Sequence, residues 1–432
     1  MRGLKNLVHR ILGVDIIKVF SLNALATSVR MLTGMVSVKI VAVFIGPSGI
    51  ALLGQLNNFS SIAQALAQGG INNGITKYVA EYKQETSVVK QYISVAFRIT
   101  LFCSAVIALL LIAGCVQISK IVLKTEEYYY LFLILGATIF LYSFNTFLLS
   151  ILNGYKQFKD YVKINICGII LNLVFTVLLV CCFGLTGALI NAVTFQSLIC
   201  FVTLWMCRKM PWMKREYFTE KLNIPIVKKY MGYSLMTLTS MILLPVSQLI
   251  LRGHVISGMS VTDAGIWEGM NRISNIYLSV ITTAFSIYYL PRISEIREPR
   301  ELKNEVFRCY KIFIPVLLLI SFSVFFVRNI VLWILFTPEF YSMESLFGWQ
   351  LAGDFVKICA WMLSYIMVAK AKITWFIVSE IAFNTIYVIL SFFLMQPNGV
   401  EGLVQGYLLS YIIYFFAMMV MFKSILKYNN YE

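Results

Sequence analysis

The sequence predicts an all-α, polytopic membrane protein with twelve transmembrane helices, arranged as two six-helix tandem repeats around a central cavity. Three observations lead to this prediction: the composition, the apolar runs and an internal repeat. Of the 432 residues, 59% are hydrophobic and 13% are charged, and the mean hydropathy is +0.80. Soluble domains have about 45–50% apolar and about 25% charged residues. The composition therefore excludes an aqueous enzyme, a disordered chain and a nucleic-acid-binding module.

Twelve apolar runs follow one another along the chain. A helix that crosses a bilayer needs roughly 20 apolar residues. Such runs lie near residues 16–45, 49–69, 92–115, 129–152, 161–183, 186–207, 230–253, 263–290, 309–336, 345–369, 374–395 and 402–422. The first run follows a basic start, as in a signal peptide, but it has neither a compact apolar core nor a cleavage site. We therefore expect it to be a retained first helix.

The basic residues indicate how the chain is oriented. The formal net charge is +16, and the cytoplasmic loops of membrane proteins retain Lys and Arg. With the amino terminus inside, only Lys120 and Lys124 lie clearly in the opposite loops. The other side then holds 25 basic residues, in segments 2–10, 77–90, 156–163, 208–229, 292–308, 370–372 and 423–427. This imbalance predicts that both termini are cytoplasmic, and it explains the charge without a nucleic-acid partner.

Three short motifs recur at nearly one spacing. The matched pairs, at offsets of 216, 214 and 215 residues, are Gly49 with Gly265, Glu81 with Glu295, and Gly184 with Gly399. An even number of helices per half makes the two repeats parallel, and transporters of this kind bind substrate between their halves. We divide the chain into an N-terminal six-helix bundle (1–207), a basic cytoplasmic linker (208–229) and a C-terminal six-helix bundle (230–432).

Charged residues lie deep in the predicted helices. Facing lipid at the bilayer centre, each would cost about 2.5–3.5 kcal/mol, so they are expected to face protein or water. They are Arg30, Glu268, Arg272, Asp354, Lys357 and Glu380. Asp354, Lys357 and Trp361 share one stripe of the tenth helix, and Glu268 and Arg272 share one of the eighth. Trp361 is the aromatic residue that we single out for stacking on a sugar.

Two interpretations of these stripes stay open. The paired charges could neutralise each other and only hold helices together. Alternatively, they line a water-filled cavity, in which the unpaired Lys39 and Arg252 would attract an anionic headgroup, because Arg pairs well with phosphate oxygens. The candidate substrate-binding residues are Arg30, Lys39, Arg252, Arg272, Lys357 and Trp361.

Arg30 and Lys39 pose a problem of phase. They are nine residues apart, about half a turn out of phase on a straight helix. Either the helix bends at Gly34, or one of the two lies outside the cavity.

The sequence contains no recognisable catalytic, nucleotide-binding or metal-binding motif. A nucleotide-binding loop, a catalytic triad and a metal-ligand cluster are all missing, so we expect neither an enzyme nor a cofactor. The nine cysteines lie in or beside apolar runs and are interpreted as small buried hydrophobic residues. Residues 71–84 place Ile71, Ile75, Tyr78 and Tyr82 on one face, which predicts a short helix on the cytoplasmic surface.

Five segments resemble a known family. They are SVKIVAVFIGPSGIAL (37–52), GINNGITKYVAEY (70–82), AGIWEGMNRIS (264–274), YYLPRISEI (288–296) and WQLAGDFVKI (349–358). In these segments the chain is similar to the lipid-linked oligosaccharide flippases, which include O-antigen translocases and lipid III flippases. These belong to the multidrug/oligosaccharidyl-lipid/polysaccharide exporter superfamily, and the resemblance spans nearly the whole chain.

The resemblance implies a function. It implies that an undecaprenyl-pyrophosphate-linked oligosaccharide, of the O-antigen or enterobacterial-common-antigen type, is moved from the inner to the outer leaflet of a bacterial inner membrane by alternating access. The resemblance also implies the partners of the protein. They are the undecaprenyl-pyrophosphate-linked glycan, the lipid bilayer and other membrane proteins of polysaccharide assembly. Residues at the family's charged positions are Arg30, Lys39, Arg252, Asp354 and Lys357. Glu268 and Arg272 depart from the family pattern, and their role stays open.

Asp354, Glu268 and Glu380 are the candidates for coupling transport to an ion gradient. A pyrophosphate that competes for Lys357 would leave Asp354 as an uncompensated buried carboxylate, which tends to take up a proton. The alternative is a static pair that only neutralises buried charge.

Two rival functions also stay open. A multidrug exporter of the same superfamily would favour an acidic, aromatic pocket, whereas here cations are in surplus. A non-transporting scaffold would need no charges in the middle of the membrane.

Overall fold

Every described element of regular structure is a helix. The structure is a computed structural model that describes residues 2–370 and 372–428, and their side chains apart from residues 2–24, 233, 286–287 and 424–428. In this part of the chain the helices are α1 (Arg2–Ala67), α2 (Asn72–Tyr82), α3 (Thr86–Ala113), α4 (Cys115–Leu123), α5 (Tyr129–Gly154), α6 (Phe158–Cys207), α7 (Ile224–Gly258), α8 (Val261–Ala284), α9 (Leu290–Glu295), α10 (Pro299–Phe326), α11 (Arg328–Leu335), α12 (Leu346–Ala369), α13 (Ile373–Asn398) and α14 (Val400–Tyr428). A π-helical turn, Phe285–Tyr289, joins α8 to α9.

Within the described residues, nine helices are long and apolar enough to cross a membrane. They are Leu25–Ala67, Thr86–Ala113, Tyr129–Gly154, Phe158–Cys207, Ile224–Gly258, Pro299–Phe326, Pro338–Ala369, Ile373–Asn398 and Val400–Lys423. The predicted all-α, multi-pass membrane fold is confirmed. Because α1 and α6 are 66 and 50 residues long, each runs through two of the predicted apolar runs. The count of twelve crossings stays a prediction.

The helix breaks follow the sequence repeat. Gly46 interrupts α1 with φ 63° and Gly184 interrupts α6 with φ 55°, a backbone conformation that glycine adopts without steric cost. Gly399, with φ 59°, ends α13 at the position equivalent to Gly184. The breaks at Gly184 and Gly399 also have the same local packing. A Cβ on Gly187 would overlap the carbonyl of Leu179, and a Cβ on the equivalent Gly402 would overlap the carbonyl of the equivalent Leu394.

The two halves meet between the second part of α1 and the start of α8. Ser48 Oγ lies 3.2 Å from Thr262 Oγ1. Gly54 faces the side chain of Glu268, and a Cβ on Gly54 would lie 2.7 Å from Glu268 Cδ.

The segment between α6 and α7 packs against the N-terminal half. Trp212 and Tyr217 are buried in one core with Tyr230 of α7. Lys90 Nζ donates to Glu216 Oε2 at 2.6 Å, and this bond holds the pKa of the Glu216 carboxyl below its usual value. Residues 208–229 are thus docked rather than a free tether, and α7 begins at Ile224.

The predicted surface helix is α2, but its apolar face is covered by protein. Ile71, Ile75 and Tyr78 are buried, and the Tyr78 ring stacks on that of Tyr92 with centroids 4.8 Å apart. The apolar face of α2 therefore packs against α3 and α5, and its location on the cytoplasmic surface stays a prediction.

The prediction for the cysteines holds only in part. Cys200, Cys207, Cys309 and Cys359 are buried, but Cys181 and Cys182 are exposed, because they lie on the outward face of α6.

Candidate transport cavity

A cavity of about 770 Å³ opens between the two halves. Helices α1, α5, α6 and α8 form most of its wall. Ligand pockets in proteins have volumes of about 300–1,000 Å³. The cavity is therefore large enough to hold part of a sizeable polar ligand inside the membrane-spanning bundle.

The charged side of the cavity comes from α1 and α8. Arg30, Glu268 and Arg272 all line it, and Arg30 is exposed. Arg272 Nε lies 3.4 Å from Glu268 Oε1, one helical turn away. Asn271 and Asn275 extend the same polar face of α8. Three of the deep charges that were predicted to face protein or water thus line one side of the cavity.

Arg252 lies behind this face and is fully buried. One end of its guanidinium pairs with Glu268 Oε2, and Nη1 donates to Gln55 Oε1 at 3.4 Å. The group also lies over the Trp267 ring, 5.4 Å from its centroid. The expectation of an unpaired Arg252 is therefore wrong. Glu268 forms ion pairs with two arginines, Arg252 and Arg272. One carboxylate therefore faces two positive charges, whereas the sequence predicted a single Glu268–Arg272 pair.

Asp354 is enclosed by donors rather than exposed to the cavity. Its side chain is buried, with 2% exposure. The carboxylate accepts hydrogen bonds from Ser274 Oγ at 2.5 Å, from the Tyr277 hydroxyl, from the Tyr407 hydroxyl at 2.7 Å and from Gln350 Nε2 at 3.3 Å. These donors come from α8, α12 and α14, so the carboxylate ties three helices together.

Lys357 is linked to Asp354 through a tyrosine. Lys357 Nζ donates to the Tyr407 hydroxyl at 3.1 Å, and that hydroxyl in turn donates to Asp354. The ammonium group also lies 4.8 Å from the centroid of the Trp361 ring and 5.6 Å from that of Tyr411. The expected direct pairing of Asp354 with Lys357 is therefore replaced by a bridge through Tyr407, and Trp361 packs over Lys357. The stacking of Trp361 on a sugar stays a prediction. We call Asp354, Lys357, Tyr277 and Tyr407 the carboxylate centre.

Lys39 and Glu380 lie apart from the cavity. Lys39 Nζ donates to the carbonyls of Trp333 and Phe336 at 3.1 and 2.8 Å, at the end of α11, where a helix carries partial negative charge. Gly34 keeps helical dihedral angles within α1. Arg30 lines the cavity and Lys39 does not, so the second alternative, in which one of the two lies outside the cavity, describes the structure. Glu380 accepts a hydrogen bond from the Tyr414 hydroxyl at 3.1 Å, between α13 and α14.

The sequence interpretation missed the opposite side of the cavity. This side carries uncharged polar residues on α5 and α6, which we call the amide wall: Asn145, Asn165, Asn172, Asn191 and Gln196. Asn165 and Asn172, seven residues apart and followed by Thr176, share one face of α6. That spacing of polar residues in an apolar run was the signal that could have identified the wall.

Solved membrane transporters share this fold. The chain matches the structure entitled "Inward-facing conformation of a multidrug resistance MATE family transporter of the MOP superfamily", with a TM-score of 0.77 and 15% identity over 93% of this chain and 99% of that one. The outward-facing conformation of a MATE family transporter matches with a TM-score of 0.63 and 13% identity, over 96% of each chain. At such identities the likeness concerns the fold alone.

The particular family follows from the sequence. Residues 40–345 match the family described as "Polysaccharide biosynthesis protein", and the chain belongs to this family. Curated relatives include the lipid III flippases of Escherichia coli (strain K12) and Shigella flexneri. Each is 27% identical over 392 residues, which cover 91% of this chain and 94% of the relative.

Proposed function

We propose that the protein is a flippase that moves a polyprenyl-pyrophosphate-linked oligosaccharide from the inner to the outer leaflet of a bacterial inner membrane by alternating access. The observation that carries this proposal is the cavity between the halves, with Arg30 and Arg272 on one side and an uncharged polar wall on the other. Membership of the polysaccharide biosynthesis family and the similarity to lipid III flippases support it. The chain acts as a transporter rather than as an enzyme.

Arg30 and Arg272 hold the pyrophosphate in this proposal. Both line the cavity, and guanidinium groups form paired hydrogen bonds to phosphate oxygens. Arg252 joins them only when Glu268 changes partner, because Glu268 is the carboxylate that Arg252 contacts. Glu268 is then the acidic residue that responds directly to an anion. The four donors around Asp354 support the static interpretation of the Asp354–Lys357 pair.

The charges favour a cytoplasmic location for both termini and for residues 208–229 and 292–308. The side chains of Arg2, Lys5 and Arg10, which contribute to the predicted imbalance, lie outside the described residues.

Export of cationic drugs fits the cavity less well. Among the described residues that line it, Glu268 is the single carboxylate, and two arginines already neutralise it. A cationic compound would have to displace an arginine to reach it. An anionic headgroup meets Arg30 without that cost.

Reconstituted protein tests the proposal. Proteoliposomes would contain a fluorescent polyprenyl-pyrophosphate oligosaccharide, and the fraction that reaches the outer leaflet would be followed by chemical quenching. We expect Arg30→Gln and Arg272→Gln each to slow transfer about tenfold, since a hydrogen bond to a charged group contributes about 1.5–3 kcal/mol. Arg98→Gln is the matched control, because Arg98 Nη2 donates to the Glu220 carbonyl at 2.7 Å, away from the cavity. Normal transfer by both cavity variants would contradict the proposal.

A further inference from the structure

The two sides of the cavity differ in kind. The side from α1 and α8 carries Arg30, Glu268 and Arg272, whereas the described lining residues of α5 and α6 are all uncharged. The amide wall lies on this second side. One ligand that touches both sides must therefore carry an anionic part and a neutral polar part.

The amide wall has unused hydrogen-bonding capacity. Asn191 is 8% exposed and lines the cavity. Its Nδ2 donates to Thr176 Oγ1 at 2.9 Å and lies 3.4 Å from Asn172 Oδ1, but its own Oδ1 has no partner. A buried acceptor left unsatisfied costs about 1–3 kcal/mol. Asn172 and Gln196 are exposed on the same wall, so their amides are open to a ligand.

The chemistry of the wall selects the kind of ligand. A side-chain amide offers both donors and acceptors, and so do the hydroxyl and acetamido groups of a sugar. Tyr142 and Phe195 line the cavity beside the amides and provide apolar surfaces for the C–H faces of a sugar ring. A lipid chain would leave these amides without partners, and an inorganic anion would find no cation among them.

We infer that the amide wall is the binding site for the neutral sugars of the substrate, with Asn172, Asn191 and Gln196 as its hydrogen-bonding residues. This inference rests on the proposed function and adds a division of labour to it. Arg30 and Arg272 recognise the pyrophosphate whatever the glycan, whereas α5 and α6 of the N-terminal half read the glycan. A lipid without sugars then keeps the contacts between the arginines and the pyrophosphate, and it loses the contacts with the amide wall.

Binding of two defined lipids by the purified protein tests this division. The probes are polyprenyl pyrophosphate without sugar and the same lipid bearing a neutral trisaccharide with acetamido groups, each measured by native mass spectrometry. Wild type should prefer the trisaccharide lipid. Asn172→Leu and Gln196→Leu should each reduce this preference about tenfold, which corresponds to about 1.4 kcal/mol, and should leave binding of the sugar-free lipid unchanged.

The controls separate a local effect from a general one. Gln117→Leu removes an exposed amide from α4, outside the cavity, and should keep the wild-type preference. Arg272→Gln should weaken both lipids by the same factor. If the wall variants weaken both lipids equally, or leave the preference unchanged, the inference is overturned while the proposed function stands. If wild type binds neither lipid, the proposed function fails and the inference falls with it.

Discussion

The amide wall and the carboxylate centre are both polar clusters inside the membrane-spanning bundle, but their hydrogen bonds are arranged in opposite ways. In the carboxylate centre, Asp354 accepts from four donors, and Lys357 is in contact with Tyr407. In the amide wall, Asn172 is exposed to the cavity and Asn191 Oδ1 has no partner. Both clusters lie inside the bundle, so burial does not distinguish them. The difference is whether their hydrogen bonds are closed within the protein.

This contrast has an energetic consequence. A closed polar network in a low-dielectric interior stabilises the fold as long as every member is satisfied, and the loss of one member leaves the others unpaired. The exposed amides of Asn172 and Gln196 contribute little to stability, because water already solvates them before the ligand arrives. Substitutions in the two clusters should therefore separate stability from substrate recognition.

The largest effect is expected for Asp354→Leu. Leucine has the branching of the aspartate side chain but accepts no hydrogen bond, so the hydroxyls of Tyr277 and Tyr407 lose their acceptor and Lys357 loses the nearby negative charge. Removal of one partner from a buried charged cluster costs about 3–5 kcal/mol. We expect a correspondingly lower unfolding temperature in detergent. Asn172→Leu is the matched control in the amide wall and should unfold within a few degrees of wild type.

The Asp354→Asn variant sharpens this measurement. It keeps one acceptor for the tyrosine hydroxyls but removes the charge opposite Lys357. Stability between that of wild type and Asp354→Leu would assign part of the cost to the hydrogen bonds and part to the charge. If Asp354→Leu and Asn172→Leu lost the same stability, the contrast between a closed and an open cluster would be wrong.

A smaller effect is expected for Glu268→Gln, at the boundary between the two kinds of cluster. The change leaves Arg252 buried without a carboxylate, but Glu268 lines the cavity, so water can partly replace it. We expect a loss of about 2 kcal/mol, below the range for a fully enclosed pair. Millimolar inorganic pyrophosphate should raise the unfolding temperature of this variant more than that of wild type, because an anion that binds the folded state stabilises it. An equal rise in both proteins would exclude Arg252 as a phosphate contact.

The fold was largely accessible from the sequence because its signals are local. The apolar runs identify the helices, and the equivalence of Gly184 and Gly399 marks the same helix break in both halves. The stripe of Asp354 and Lys357 was also placed correctly on one face of one helix. The residues that donate hydrogen bonds to Asp354 could not be predicted from the sequence, because Tyr407 and Tyr277 are 53 and 77 residues away from it.

One kind of long-range pairing was accessible in principle. Where the chain turns back between two consecutive helices, residues that are equally far from the turn along the sequence come to lie side by side. Arg252 and Glu268 each lie eight residues from the break at Ser260, and they form an ion pair. Thr176 and Asn191 lie eight and seven residues from Gly184, and they share a hydrogen bond. The sequence interpretation used such breaks to align the halves but not to pair the side chains beside them.

The smallest effect is expected for Thr203→Val, which tests the contrast within the amide wall itself. Thr203 is fully buried, and its hydroxyl donates to Asn145 Oδ1 at 2.6 Å. Asn145 also lines the cavity, so it combines an internal partner with access to water. Valine keeps the shape of threonine and removes the donor. We expect a loss of about 1 kcal/mol, the usual net contribution of one hydrogen bond, rather than the full cost of a buried orphan, because cavity water can replace the hydroxyl.

Thr194→Val is the control for this last measurement. Its hydroxyl bonds to the Ile190 carbonyl of the same helix, and that change should leave the unfolding temperature nearly as it is in wild type. A loss well above 1 kcal/mol for Thr203→Val would mean that water does not reach Asn145, which would then belong with the closed clusters. The trisaccharide lipid gives a second criterion, because Thr203→Val should leave the preference for it intact. A variant that lost this preference together with its stability would show that the hydroxyl of Thr203 positions Asn145 for the sugar.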